Sequence, residues 1–152
     1  MRKKPSCRQS VSGRFQYTDG GRSKYYTLKD VGDCVVRAIA VATDRDYKEV
    51  VEDTWKFSRK YGCPINWKDV YVPYLESIGW EKVSSPKFKG KKAKAKDLPK
   101  GRYIMRQANH LSALVDGVIH DIWDTSNKMV YCYYRKKEEQ QRSKYEQRTK
   151  TI

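Results

Sequence analysis

A cysteine acts as a nucleophile when it is held as thiolate near neutral pH, has a base beside it, and faces donors for an oxyanion. Cys34 is placed for this. It opens the run Cys34 to Ala42, which is small and apolar and carries one charge, Arg37. That pattern predicts a helix packed on nearly all sides, with Asp33 as its N-cap. Free backbone N–H groups at a helix N-terminus favour a negative sulfur and can also face an oxyanion. Asp33 works against this by adding negative charge, unless its carboxylate turns inward to cap the helix. The plain alternative is an ordinary buried cysteine in a small-residue helix.

The base must be a histidine, and the sequence has two, His110 and His120. His110 follows Asn109 and opens a β segment, whereas His120 sits in the middle of the next one. A residue at a strand mouth can reach a helix N-terminus across a cleft; a mid-strand residue is packed or solvent-facing. His110 is therefore the candidate base. A third group must orient its ring, and Asp121 and Asp124 compete for that role. A two-residue type I′ turn at Asp116-Gly117 pairs Val115 with Val118 and puts Asp121 on the face of His110. A type I turn with a bulge at Gly117 pairs Leu114 with Val118, and then Asp124 shares that face. The sequence leaves both registers open, and both aspartates also suit turns.

The elements that must position these groups follow from periodicity and breakers. After the Cys34 helix, residues 43–46 form a break. A second helix runs from about Tyr47 to Tyr61, stopped by Gly62 and Pro64. A third covers part of 67–78 before Gly79, and Pro73 suits its first position better than its interior. From Gly101 the period becomes that of strands: 102–108, 110–115, 118–123 and 129–134. Helices first and antiparallel strands afterwards predict an α+β domain, with the helices packed on a C-terminal antiparallel sheet. Residues 1–24 are polar and basic and read as a flexible arm, with a short strand near 14–17. The domain spans 25–134, interrupted by a lysine-rich loop at 84–101 with almost nothing to bury, and 135–152 reads as a charged tail.

The chain of 152 residues suits one domain. It holds 33 Lys and Arg against 18 Asp and Glu, a net charge of +15 that predicts attraction to polyanions. Its four Trp and twelve Tyr supply a core that a disordered chain would lack. None of the four cysteines forms a C-x-x-C pair, so no zinc or thioredoxin motif appears, and no metal or cofactor is expected. The first 21 residues lack the apolar stretch of a secretory signal, and nothing approaches a membrane span. The expectation is a cytoplasmic protein with reduced thiols and no membrane partner.

The segments Gly32 to Ala40, Gly101 to Arg106 and His110 to Asp124 together resemble papain-like cysteine peptidases, most closely the small types encoded by phages and prophages. The Asp33-Cys34 pair opening a helix is also similar to the bacteriocin-processing leader peptidases of that superfamily. The resemblance covers about residues 30–134. It implies a papain-like fold, a thiol hydrolase acting on a peptide or protein substrate, and location in the host cytoplasm. The order it implies is a helical Cys, a His at a strand start and an Asp or Asn at the end of the next strand. That order maps onto Cys34, His110 and, by position, Asp124. One departure stands out: the family's Gln about six residues before the Cys, which completes the oxyanion hole, is replaced by Leu28. Loss of one such donor typically lowers rate by about 10²–10³.

A competing reading makes the chain a basic nucleic-acid- or ribosome-binding protein, including an inactive papain-like scaffold. Lys87, Lys89, Lys91, Lys92, Lys94 and Lys96 would contact phosphates, while Tyr131, Tyr133 and Tyr134 would stack on bases. The plainer account is that the lysines are solvated and the tyrosines fill both faces of the last strand.

Overall fold

The computed structural model describes residues 14–29, 31–84 and 87–138. The fold is α+β. Three helices, α1 (Cys34–Thr43), α2 (Tyr47–Tyr61) and α3 (Lys68–Ser77), precede most of the strands. In α1, Val35, Val36, Ala38, Ile39, Ala40 and Ala42 are buried, and their small side chains let the helix lie close on the sheet. Asp44 ends it in the left-handed conformation, with φ 56°, and Gly62 ends α2 likewise at φ 68°.

α3 corrects the expectation for Pro73. The helix starts at Lys68 and continues through the proline instead of beginning there. The ring removes a hydrogen bond to the Asp69 carbonyl one turn earlier, at about 3 kcal/mol. Burial of Val70, Tyr71, Tyr74 and Leu75 outweighs this, because each such side chain contributes about 1.5–3 kcal/mol.

The strands are β1 (Phe15–Tyr17), β2 (Trp80–Ser84), β3 (Lys87–Phe88), β4 (Lys91–Lys92), β5 (Arg102–Gln107), β6 (His110–Val115), β7 (Val118–Asp121) and β8 (Cys132–Lys136). Six of them form one sheet in the order β1-β7-β6-β5-β8-β2. The expected antiparallel strands make its centre, but the sheet is mixed: β1 lies parallel to β7 along one edge. The other edge is β2, antiparallel to β8. β2 escapes the sequence reading because its alternation is brief and sits between a helix end and the lysines.

Each face of the sheet has its own core. On one, α1, Tyr71, Tyr74 and Leu75 pack on Ile104, Leu111, Ala113, Cys132 and Tyr134. On the other, Tyr103, Met105, Leu114, Ile119 and Tyr133 are covered by Ala95, Leu98, Val130 and Phe15. The lysine-rich segment is therefore not an empty loop. Beyond the β3–β4 hairpin, Ala93 and Ala95 are buried, and the Val130 N–H donates to the Ala93 carbonyl at 2.8 Å.

Both outer boundaries of the domain also shift outward, toward the termini. Residues 14–24 belong to the domain: the Thr18 N–H donates to the Asp121 carbonyl at 3.0 Å, and Gly20 lies against Arg37 of α1. A Cβ on Gly20 would come within 3.1 Å of the Arg37 Cα, and its φ of 73° independently favours glycine. At the other end, Arg135 and Lys136 complete β8. Residues 1–13 of the expected arm, with Cys7, and 139–152 of the expected tail lie outside the described residues. Among those described, no helix is long and apolar enough to cross a membrane.

Candidate active site

Two turns decide where the imidazole and its partner stand. Asn109, with φ 50°, takes the left-handed conformation that asparagine tolerates, and closes the β5–β6 connection with Gln107 opposite His110. Asp116 and Gly117 both have positive φ, 49° and 81°, the signature of a type I′ turn. Val115 therefore pairs with Val118, and continuing the ladder sets Asp121 across from Ser112 on the face that carries His110. Of the two registers open in the sequence, this one brings Asp121 to the ring.

His110 Nε2 and Asp121 Oδ2 are 2.6 Å apart. With Nε2 committed to the carboxylate, Nδ1 is the nitrogen left for the sulfur. Cys34 is half-buried and unbridged, and the His110 ring and the Leu111 backbone both act on its sulfur in the direction that favours the thiolate. The Trp123 ring lies 4.9 Å from the His110 ring, centroid to centroid, and shields it.

The electrostatics shift Cys34 and His110 toward a thiolate–imidazolium pair. Burial acts to raise the Cys34 thiol, but the His110 hydrogen bond, the Leu111 backbone and the His110 and Arg37 charges outweigh it and hold the thiol below its ordinary range. Burial likewise acts to lower His110, yet the Asp121 and Cys34 hydrogen bonds prevail and push it up to about 9. Each group thus favours the charged form of the other.

Asp121 is 3% exposed and accepts four donors. Oδ2 takes His110 and the Ser112 hydroxyl at 2.7 Å; Oδ1 takes the Ile122 N–H at 2.7 Å and Arg37 Nη2 at 3.4 Å. That uses the acceptor positions of a carboxylate. Behind it, the Thr125 hydroxyl donates to Ser112 Oγ at 3.3 Å, and Gln107 Nε2 donates to the Thr125 carbonyl at 3.0 Å.

Asp33 stands at the N-cap position of α1, as expected, but its side chain makes no capping hydrogen bond. Its Oδ1 pairs with Arg37 Nη1, and its Oδ2 accepts the Tyr47 hydroxyl at 2.6 Å. Burial first, and the Asp33 acceptor second, push the Tyr47 phenol up to about 12, so it remains a donor. Arg22 donates to the Tyr47 oxygen at 2.8 Å and, through Nε, to the Leu28 carbonyl at 2.7 Å. The charge of Asp33 is therefore spent on Arg37, one turn into the helix, and opposes the thiolate less than its position beside Cys34 predicts.

Asp124 is not part of this network. The order-based mapping onto it is corrected by the register: it is exposed in the turn after β7 and accepts the Ser126 N–H at 2.9 Å. His120 points to the helix side and is held below its usual value by burial and by Arg102. Leu28, in the place of the family's glutamine, is 71% exposed and supplies no side-chain donor. The donors left for an oxyanion are the free N–H groups of the first turn of α1. Sequence reasoning passed over Arg37 and Ser112. Arg37 had a signal, since a lone charge in an apolar helix must find a partner; Ser112 had none.

The candidate phosphate-contacting lysines separate into two groups. Lys87, Lys89, Lys91 and Lys92 are exposed on the β3–β4 hairpin, whereas Lys94 and Lys96 border a cavity. Tyr133 and Tyr134 fill opposite cores and cannot stack on bases; Tyr131 is exposed beneath the Lys92 ammonium. Among the described residues no group of three or more His, Cys, Asp and Glu side chains is placed to hold a metal ion. No family model matches the chain, and comparisons with curated proteins and with solved structures return no match.

Proposed function

We propose that this chain is a cysteine-dependent hydrolase of papain-like type, cleaving a peptide, isopeptide or other amide bond. The observation that carries the reading is the single line of contacts from Cys34 through His110 to Asp121, with the nucleophile still reachable from solvent. Chain order, with a helical cysteine, a histidine at a strand start and an aspartate at the end of the next strand, supports the superfamily, and with it a phage-type protein working in a cytoplasm that keeps thiols reduced.

The chemistry follows from these groups. The Cys34 thiolate attacks the acyl carbon, and the oxygen gains negative charge opposite the free N–H groups of α1. The His110 imidazolium gives its Nδ1 proton to the departing amine, leaving a thioester on Cys34. His110, now neutral, takes a proton from water, which adds to the thioester carbon; the carboxylic acid leaves and the thiolate–imidazolium pair is restored. Asp121 keeps the ring oriented throughout, and Arg37 and Ser112 keep Asp121 in place.

The test is labelling with a thiol-directed electrophile followed by peptide mapping. Cys34 should react well before Cys7, Cys63 and Cys132 near neutral pH, and His110→Ala should slow it to the rate of an ordinary thiol. Equal reactivity of all four cysteines, or a Cys34 rate indifferent to His110→Ala, would remove the basis for this reading.

A further inference from the structure

The face of β7 that bears Asp121 has a second polar region at its other end, beside the Asp116-Gly117 turn. A cavity of about 320 Å³ opens there, with Ile119 in its floor. Arg14 enters from the residue before β1, Lys94 and Lys96 from the segment after the β3–β4 hairpin, and Ser126 and Asn127 from the loop after Trp123. Three cations from two distant parts of the chain thus surround one space, and no acid lines it.

Their placement is built into the fold. The Ile119 N–H donates to the Arg14 carbonyl at 2.7 Å, extending the β1–β7 pairing. Lys94 bridges to Met129 in antiparallel fashion, and buried Ala95 between Lys94 and Lys96 faces the core. Among the described residues none of the three cations is in a salt bridge. Two carboxylates close to these residues in sequence are engaged by backbone: Asp97 accepts the Lys94 N–H at 2.9 Å and Asp124 the Ser126 N–H at 2.9 Å. Like charges gathered around a cavity repel one another, and an anion inside would relieve all three at once.

We propose that this cavity is a binding site for a phosphate-bearing ligand of nucleotide size, supplied either as a free nucleotide or as one nucleotide of a single strand. The volume lies at the lower end of the range for small-molecule sites, about 300–1,000 Å³. The Arg14 guanidinium suits two phosphate oxygens at once, and the lysines act as point charges beside it. Ser126 and Asn127 offer a hydroxyl and an amide to sugar or base, and Ile119 supplies apolar contact. The hairpin lysines, although also charged, do not line this cavity. None of the cavity residues belongs to the thiol network, so this site stands or falls independently of the hydrolase reading.

The experiment compares two charge-matched variants of the full chain. One is R14Q/K94Q/K96Q; the other, K87Q/K89Q/K91Q, removes the same charge from the hairpin. Adenosine monophosphate binding is followed by calorimetry and oligothymidylate binding by fluorescence anisotropy across salt concentrations. The cavity variant should lose about tenfold or more in affinity, and its salt slope for the oligonucleotide should fall by about two, near 0.7 per lost phosphate contact. The hairpin variant should keep affinity within about threefold on the same electrostatic grounds. Competition of the mononucleotide against the strand identifies a free nucleotide as the ligand; binding of the strand alone identifies nucleic acid. Equal losses in the two variants, or no binding of either probe by the unaltered protein, would overturn the proposal. Unchanged circular dichroism and unchanged Cys34 labelling establish that the variants are folded.

Discussion

Asp121 and Ile119 are two residues apart on one face of β7, and they border regions that treat charge in opposite ways. Around Asp121 the buried ions are matched: Arg37 lies between two carboxylates, and His110 between a carboxylate and a sulfur. Around Ile119 three cations share a cavity with no acid in its lining. The first region is buried, so each unmatched charge there would cost several kcal/mol, and the fold supplies partners. The second is open to solvent, where water screens repulsion down to about 1 kcal/mol per close pair and the fold can leave the charges for a ligand. A buried polar network implies that geometry is being held; an open one implies that charge is being offered.

The comparison is sharpened most by exchanging one carboxylate at a time. Asp121→Asn should lower turnover of an amide substrate by about 10²–10⁴, the usual contribution of a correctly held general acid–base, because the amide cannot match all four donors. Asp124→Asn, three residues on, should leave the rate within about twofold, since its carboxylate only braces a surface turn. Comparable losses from both would return the orienting role to the turn.

Stability should separate the two regions next. Arg37→Met strands Asp33 and Asp121 in a buried site and should destabilise the fold by about 3–5 kcal/mol in urea titration. Lys94→Met removes a cation that has no acidic partner among the described residues and should change stability by less than about 0.5 kcal/mol in either direction.

A pH series tests the ion pair itself. His110 is raised above its free value of 6.5, so its stabilising contribution is complete below that value and is lost as pH climbs through about 9. Cys34 is lowered from 9.0, so its contribution is present above that value and is lost as pH falls through the depressed one. Cys34 labelling should therefore hold a plateau below the ordinary thiol range, and should fall off on the acid side. Hydrolysis should show an alkaline limb near 9. A labelling curve for Cys34 that superimposes on that of Cys63 would refute the pair.

Within the matched network, a smaller effect than that of Arg37 is expected at Tyr47. Tyr47→Phe removes the donor to Asp33 and the acceptor of Arg22 and should destabilise by about 1 kcal/mol. Turnover should barely change, because Arg37 still holds Asp33 and Asp121.

Much of this site could be read before folding. The small apolar run opened by Cys34 identified α1 and its N-terminal cysteine, and Asn109-His110 marked a strand start. Asp116-Gly117 signalled a tight turn without saying which one. What escaped was nonlocal. A strand near 14–17 was expected, but its parallel pairing with distant β7 was not, and β2 is a short edge strand whose partner, β8, lies far along the chain, so its local pattern is too weak to announce it. The lysine-rich segment looked empty because Ala93, Ala95 and Leu98 are small or isolated, and only the uncovered face of the sheet gives them something to bury.

The sequence by itself determined the helices and central strands, the placing of Cys34 at a helix start and of His110 at a strand start, and the excess of positive charge, because these follow from local periodicity and composition. Tertiary structure decided which aspartate meets His110, where Arg37 spends its charge and which lysines gather at a cavity. Those outcomes depend on strand register and on contacts between segments as far apart as Arg37 and Asp121. A one-residue slip in pairing reverses every side chain of a strand, and the residue types around the turn are compatible with either register until the whole sheet packs.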